Sequence, residues 1–532
     1  MRRHACTAAV SALCALLVTA CGGGGGGASS SPPEPTVVSV SAVLSDNANE
    51  TLAVGDDFRL QLQAQWTATG QAPAQVYLQV RDTKDSFELP AIRSVSGSWS
   101  VDLPLRSALP AGVRDGQLEV RACRDSVCAD PFAGTAAALP YRLTLAAVEN
   151  WTTHQGGNSH RGYLPIRLEP TKFRQVWTWQ RPRSSEPIGG INAVVTMSGM
   201  VFVTTDVYFG EAVLHALDEA EGKTVWMRSL GQMPAFGPPA VSTDRVFAAT
   251  AGHQDSFLWS FDLRTGAIAS KSGFDGQWPH VLNPTLVDGT AVVGAGYYGG
   301  TLYGYSMLNG DRLWTRSVGG AWDMFSVAAD EQKLYHHTGR ELVVLDRASG
   351  NELTRIADLL GRNADHSYHG GPILGNGGVV VAYSGGAFSG RASSSTEHYD
   401  LRVLSAFDTV QQKALWNSAS SYRSTPALAD GVLYVGNDTA LDAIDLSTGT
   451  LLWRFTPDPV ADGNRFHRNV VATRSHLFVS TDARVLALDL KSRTVVWRYS
   501  KPGMLAISAD RTLYINVGAR ESSGELVAVR LQ

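Results

Sequence analysis

The chain has 532 residues, 44% hydrophobic and 18% charged, with a formal net charge of −4. That balance gives no basic footprint for nucleic acid, while the length allows two substantial cores. No convincing helix-period stretch follows the first twenty residues, so a helical architecture is excluded for most of the chain.

The first elements read as export signals. Arg2 and Arg3 precede an apolar stretch through Val18, too short for a bilayer span and in keeping with a secretory signal peptide over residues 1–20. Val18-Thr19-Ala20-Cys21 resembles a bacterial lipobox, in which cleavage leaves a lipid-modified Cys21; the alternative is an ordinary signal peptide. Residues 21–36, from Cys21 through Gly22–Gly27 to the Ser/Pro run, cannot bury a core and read as a tether. Gly22, not Asp, follows Cys21. The expected location is therefore the bacterial cell envelope, lipid-anchored at the outer membrane.

Residues 37–148 read as a separate small domain. Phe58-Arg59-Leu60-Gln61-Leu62-Gln63-Ala64-Gln65-Trp66 alternates apolar and polar throughout. Val76–Val80, Trp99–Leu103, Leu118–Cys123 and Tyr141–Leu145 are further strands. This spacing predicts an immunoglobulin-like β-sandwich by architecture alone. Cys6 and Cys14 fall within the signal peptide, and Cys21 is the lipid site. Cys123 and Cys128 remain, five apart, and predict a local disulfide in an oxidising compartment. A metal reading of this pair lacks a second Cys or His pair nearby in sequence.

Residues 149–532 carry a repeated phrase: a small residue, any residue, Asp, a turn often ending in Gly, then Trp. Ala216-Leu217-Asp218…Gly222…Trp226 and Ala443-Ile444-Asp445…Gly449…Trp453 are the clearest copies. Its Asp position is filled by Asp218, Asp262, Ser306, Asp346, Asp408, Asp445 and Asp489, at intervals of 44, 44, 40, 62, 37 and 44 residues. A strand-and-turn repeat near forty residues predicts a β-propeller. Asp starts the turn, Gly supplies its positive φ, and Ala leaves room for the Trp ring. Ser270 and Thr354 replace Trp, and Gln412 and Arg493 replace Gly. Upstream, Thr425–Gly436 reads strand, Asp-Gly turn, strand, so each unit is a four-stranded blade. The C-terminal run Glu525–Leu531 lacks a fourth strand. Phe173–Trp179 is predicted to supply it, giving an all-β, eight-bladed propeller behind the sandwich.

These repeats are similar to the PQQ-type propeller repeat, the quinoprotein alcohol dehydrogenase-like family that includes BamB-type lipoproteins. The leading segment Trp151-Thr152-Thr153-His154-Gln155-Gly156-Gly157-Asn158…Gly162 resembles the Trp…Gly-Asn…Gly start of that family. The resemblance covers Trp151 to Gln532. It implies a propeller, and either a protein-binding scaffold or a PQQ enzyme.

Loops between blades converge on one mouth. They carry Trp278, His280, Trp322, Asp323, His366, Tyr368, His369, Tyr422, Arg423, Arg465, Phe466, His467 and Arg468, with Tyr297, Tyr298, His336 and His337 approaching. Flat rings with cationic donors suit a glycan, a peptide carboxylate or a quinone. Equally, large side chains plug propeller channels, and His and Arg satisfy loop carbonyls. His366 and His369 could ligate a metal only with a third group from another loop; no metal is expected. The 384–400 insertion, polar and Ser-rich, reads as a solvated loop or a partner-binding finger. In quinoprotein alcohol dehydrogenases the resemblance implies an adjacent Cys-Cys pair, Ca²⁺ ligands and an Asp base. No Cys follows Cys128, no c-type haem motif is present, and the Ca²⁺ set has no residue-by-residue match. The expectation is a non-catalytic envelope lipoprotein without catalytic residues or cofactor, binding envelope proteins or glycans. The alternatives are a PQQ-dependent oxidoreductase and a glycan-binding adhesion protein.

Overall fold

The computed structural model describes residues 36–182, 190–207, 209–252, 256–276, 283–295, 300–319, 326–360, 371–384, 401–466, 468–517 and 524–532. Among them every element is a β-strand or a three-residue 3-10 turn. No helix there is long and apolar enough to cross a membrane.

Residues 37–146 form two sheets. One joins Val37–Leu44, Arg59–Thr69 and Ser98–Pro104; the other joins Asn49–Ala53, Ala137–Ala146, Gly112–Cys123, Tyr77–Asp82 and Arg93–Ser94. The alternation of Arg59–Thr69 turns Leu60, Leu62 and Ala64 inward, onto a core with Leu78, Val80, Leu118, Val120, Leu143 and Leu145. Asn49–Ala53 runs parallel to Ala137–Ala146, while the other pairings are antiparallel. Cys123 and Cys128 are bridged, with Cα atoms 5.1 Å apart. Asp125 accepts the N–H groups of Val127, Ala129 and Asp130 inside that loop.

From Val195 onward the described residues form eight successive sheets. Sheet 1 is Val195–Met197, Met200–Thr204, Gly210–Asp218 and Thr224–Met233. Sheets 2 to 7 span 235–274, 285–317, 328–357, 373–422, 427–455 and 470–499. Sheet 8 takes Gly503–Ile507, Thr512–Val517 and Glu525–Arg530 from the C-terminus and Arg174–Gln180 from before sheet 1. That last strand pairs antiparallel with Glu525–Arg530, Trp177 opposite Ala528. Sheet 8 packs on sheet 1 through a shared core holding Trp177, Val201, Leu217, Val527 and Tyr514, and Asn516 donates to the Ile191 carbonyl at 2.8 Å. The result is a closed propeller.

Each residue of the repeated phrase has a visible role. Asp218, Asp262 and Asp445 turn a carboxylate oxygen onto the second and third N–H groups after them, at 2.8–3.1 Å. The Thr265 hydroxyl on Asp262, and the Ser447 and Thr448 hydroxyls on Asp445, join these backbone bonds in holding both carboxyls below the usual carboxylate range. The Trp sits opposite the small residue on its own sheet: Ala216 with Trp226, Ala406 with Trp416, Ala443 with Trp453. Its indole also reaches the next sheet. Trp226 donates to the Leu263 carbonyl and Trp416 to that of Leu446, at 3.0 and 2.9 Å. Where the next sheet's turn keeps its glycine, as at Gly266 and Gly449, the ring covers it: a Cβ at Gly449 would lie 2.6 Å from Trp416.

Candidate functional site

A segment outside the sheets closes one end of the channel. Residues Trp151–Gly162 circle the inner strands in order. Trp151 exchanges bonds with Thr196 of sheet 1, and the Thr152 carbonyl accepts from Val241 of sheet 2. Asn158 donates to Leu286 of sheet 3 and accepts at its carbonyl from Ala329 of sheet 4. Ser159, Arg161 and Gly162 accept from Leu374, Leu428 and Ala472 of sheets 5, 6 and 7. Tyr163–Leu164 then joins sheet 7 as a short parallel strand.

The centre of this plug is polar and buried. Gln155, in the left-handed region at φ 50, donates to the Pro426 and Val470 carbonyls and accepts from Asn469. Asn469 also donates to the Leu505 carbonyl, bringing in sheet 8. His154 and His160 meet edge to face, ring centres 5.0 Å apart. Burial pushes His154 down to about 4, and His160, beside it, well below the usual imidazole range. His160 Nδ1 pairs with the Pro372 carbonyl at 2.8 Å.

The plug lies at the C-terminal ends of the inner strands, beside the Asp-Gly hairpin turns. Two adjoining hollows open on its outer side. One, of about 540 Å³, is lined by Arg161, Tyr163, Glu331 and Tyr335 among others. The second, of about 760 Å³, includes Asn158, Asp288 and Gln332, and the two share Glu149 and Asp330.

The predicted mouth lies at the opposite ends of the inner strands. Trp278, His280, Tyr297, Tyr298, Trp322, Asp323, His366, Tyr368, His369 and His467 fall outside the described residues, as do Cys21 and positions 385–400 of the insertion. The rest of the set lies among the described residues. Tyr422 is buried and donates to Asp442 at 2.7 Å; Asp442, fully buried, also accepts two bonds from Arg454 at 2.6 and 2.8 Å. Phe466 is buried between sheets 6 and 7 with Ala427, Tyr434 and Val479. Arg468 is buried, its carbonyl accepting from Thr425. Arg423 pairs with Asp438 at 2.8 Å, and Arg465 approaches the same carboxylate at 3.4 Å. His336 and His337 lie on a strand of sheet 4 and are wholly buried.

Burial pushes His336 down to about 3. His337 faces Asp358 at 3.7 Å. Asp358 accepts from the hydroxyls of Ser384 and Ser405 and the N–H of Leu360, and bridges sheets 4 and 5. The sequence named the two histidines but not Asp358, a lone carboxylate outside any repeat position. The described residues contain no group of three or more His, Cys, Asp or Glu placed to hold a metal.

Comparison with solved structures places BamB from Moraxella catarrhalis among the similar folds: 15% identity, 67% of this chain, 99% of that one, TM-score 0.50. Quinohemoprotein alcohol dehydrogenases are also similar. The Pseudomonas putida HK5 enzyme gives 12% identity over 72% of this chain and 80% of its own, TM-score 0.49. The Comamonas testosteroni enzyme gives 14% over 71% and 80%, TM-score 0.43. At these identities the likeness shows the fold alone. No curated protein sequence matches. Residues 166–321, 255–454 and 400–532 match the family described as outer membrane protein assembly factor BamB, and with those segments covering the propeller, the chain belongs to that PQQ-repeat family.

Proposed function

We propose that this protein is a non-catalytic, lipid-anchored envelope scaffold whose propeller binds other envelope proteins. The carrying observation is the plugged ring, in which buried polar side chains tie neighbouring sheets together. Tyr422, Asp442 and Arg454 form one such tie; Asp358 with Ser384 and Ser405 forms another. A rigid ring presents a large surface at little ordering cost. The family's BamB description supports a partner in outer-membrane protein assembly, and the leader, Cys21 and tether support the anchor. No cofactor enters this reading. Fold alone does not carry activity across a family.

The test is cross-linked affinity purification of the full chain from envelope fractions, beside a Cys21→Ser form. A discrete protein partner, lost or displaced when the chain leaves the membrane pellet, supports the scaffold. Quinone-dependent dye reduction with alcohols or sugars at enzyme-like rates would overturn it.

A further inference from the structure

We infer that the N-terminal sandwich is the lock on the propeller's closure, with the Asp56 carboxylate as its pin. The ring is shut by non-covalent pairing of Arg174–Gln180 with Glu525–Arg530. One side of that seam therefore comes from early in the chain and the other from its end. Asp56 touches both sides. Its Oδ1 accepts from the backbone N–H of Arg167, seven residues before the closing strand, at 2.9 Å. The same oxygen accepts from Arg511 Nη2 at 2.8 Å. Arg511 lies in the turn between Gly503–Ile507 and Thr512–Val517 of the closing sheet, and its carbonyl accepts from Leu531 N–H at 2.9 Å. The other Asp56 oxygen holds its own turn through Ala53 N–H, at 2.9 Å.

The contact is buried and close. Asp56 and Arg511 are each 4% exposed. Ala53 is wholly buried in the same core as Ile166, Leu513 and Leu531. Gly55, at φ +78, has the Arg511 guanidinium where its Cβ would stand, so glycine permits the approach. Glu50 with Arg167 at 3.2 Å and Asp57 with Lys172 at 2.6 Å fasten the linker along the rim. Arg474, in the matching turn of sheet 7, donates to the Thr51 carbonyl. Exposed rim pairs contribute little. A buried pair differs, because removing one partner strands the other charge away from water. The loss therefore falls on the seam.

The test is hydrogen exchange on the full-length protein. Asp56→Ala is expected to lower protection at least tenfold in Arg174–Gln180 and Glu525–Arg530, leaving Thr301–Ser306 across the ring unchanged. Loosening confined to Asn49–Ala53, with both seam strands protected as in the parent, overturns the inference. If Asp56→Ala does not accumulate, Asp56→Asn keeps the shape and one accepting oxygen. It is expected to cost the seam strands threefold or more, and parental protection there overturns the inference equally. Arg511→Met should lower seam protection alone and add little to Asp56→Ala, since the two act as one unit.

Discussion

Gly449 and Gly431 share a backbone conformation, φ 72 and 80, but not a neighbourhood. Gly449 lies under the Trp416 ring, whereas Gly431 has nothing within 4 Å of an added Cβ. Gly431→Ala is expected to cost about 1 kcal/mol, from the left-handed backbone alone. Gly449→Ala adds overpacking of about 1–3 kcal/mol. Denaturant midpoints should therefore fall in the order parent, Gly431→Ala, Gly449→Ala; equal midpoints would reject the steric role. The sequence disclosed the turn's need for glycine but not this second reason, because the ring above belongs to another sheet. The exceptions make physical sense afterwards. Thr354 meets Gln412 at 3.2 Å, and the Arg493 guanidinium stands over Trp453 at 5.4 Å. Where glycine is lost, a polar or cation–π contact fills the same junction.

Glu219 supplies a second test at this scale. It is 5% exposed, and burial raises its carboxyl above the usual range, opposed by the Ser508 hydroxyl. The folded state thus holds that proton more tightly than the unfolded chain does. Its contribution is most favourable below the unfolded carboxyl's pKa and is lost as pH rises through the folded value. Glu219→Gln is expected to raise the unfolding midpoint at pH 8 and to lose that advantage near pH 4. A Gln variant weaker than the parent at pH 8 would show that the charged form is stabilised instead.

Among elements, the plug was the least legible. It binds six of its seven sheets partly or wholly through its main chain, and backbone bonds leave no residue-type pattern. Its signals were the Trp151…Asn158…Gly162 phrase and its glycines: Gly156 at φ 96 and Gly162 at φ 58 mark bends no strand would contain. Tyr422, Phe466 and Arg423 were assigned to the mouth by loop position, which does not disclose their partners: Asp442 for Tyr422, Ala427 and Val479 for Phe466, and Asp438 for Arg423. The sheets were plain because alternation, Asp-Gly turns and Ala-to-Trp spacing are local, and each local choice agrees with the fold. The plug also carries a pH response. His154 and His160 are neutral when folded, while an unfolded imidazole takes up its proton near pH 6.5. Plug stability is therefore complete above about pH 6.5 and falls as pH drops toward the His154 value of about 4. Amide exchange in 152–164, corrected for intrinsic rate, should quicken severalfold between pH 7.5 and 5. A His154→Phe, His160→Gln double variant should lose most of that response; an unchanged response would place the titrating groups elsewhere.

The propeller depends on a seam between its first and last strands. The sequence showed it as a C-terminal sheet one strand short and an unassigned strand before the first repeat, an imbalance that leaves an open edge unless the two pair. What it could not show was the sandwich's hold on that seam, because Asp56 and Arg511 lie 455 positions apart and neither belongs to a motif. The energetic demand on the seam is large. Leu526, Val527, Val529 and Leu531 are completely buried, and at about 2 kcal/mol each they contribute roughly 8 kcal/mol gross. Whole-domain stabilities are only about 5–15 kcal/mol. Removing residues 519–532 should therefore open the ring rather than trim it. Arg174–Gln180 and Thr512–Val517 would lose the strand between them, and Trp177 would lose Ala528 opposite it. The expected outcome is aggregation or a broad, early thermal transition, with red-shifted tryptophan emission. Adding a peptide of residues 519–532 during refolding should restore the parental transition, because the strand is held by pairing and packing alone. A truncated protein that melts like the parent, or a peptide without effect on a soluble truncated form, would mean the ring is closed by something other than this strand.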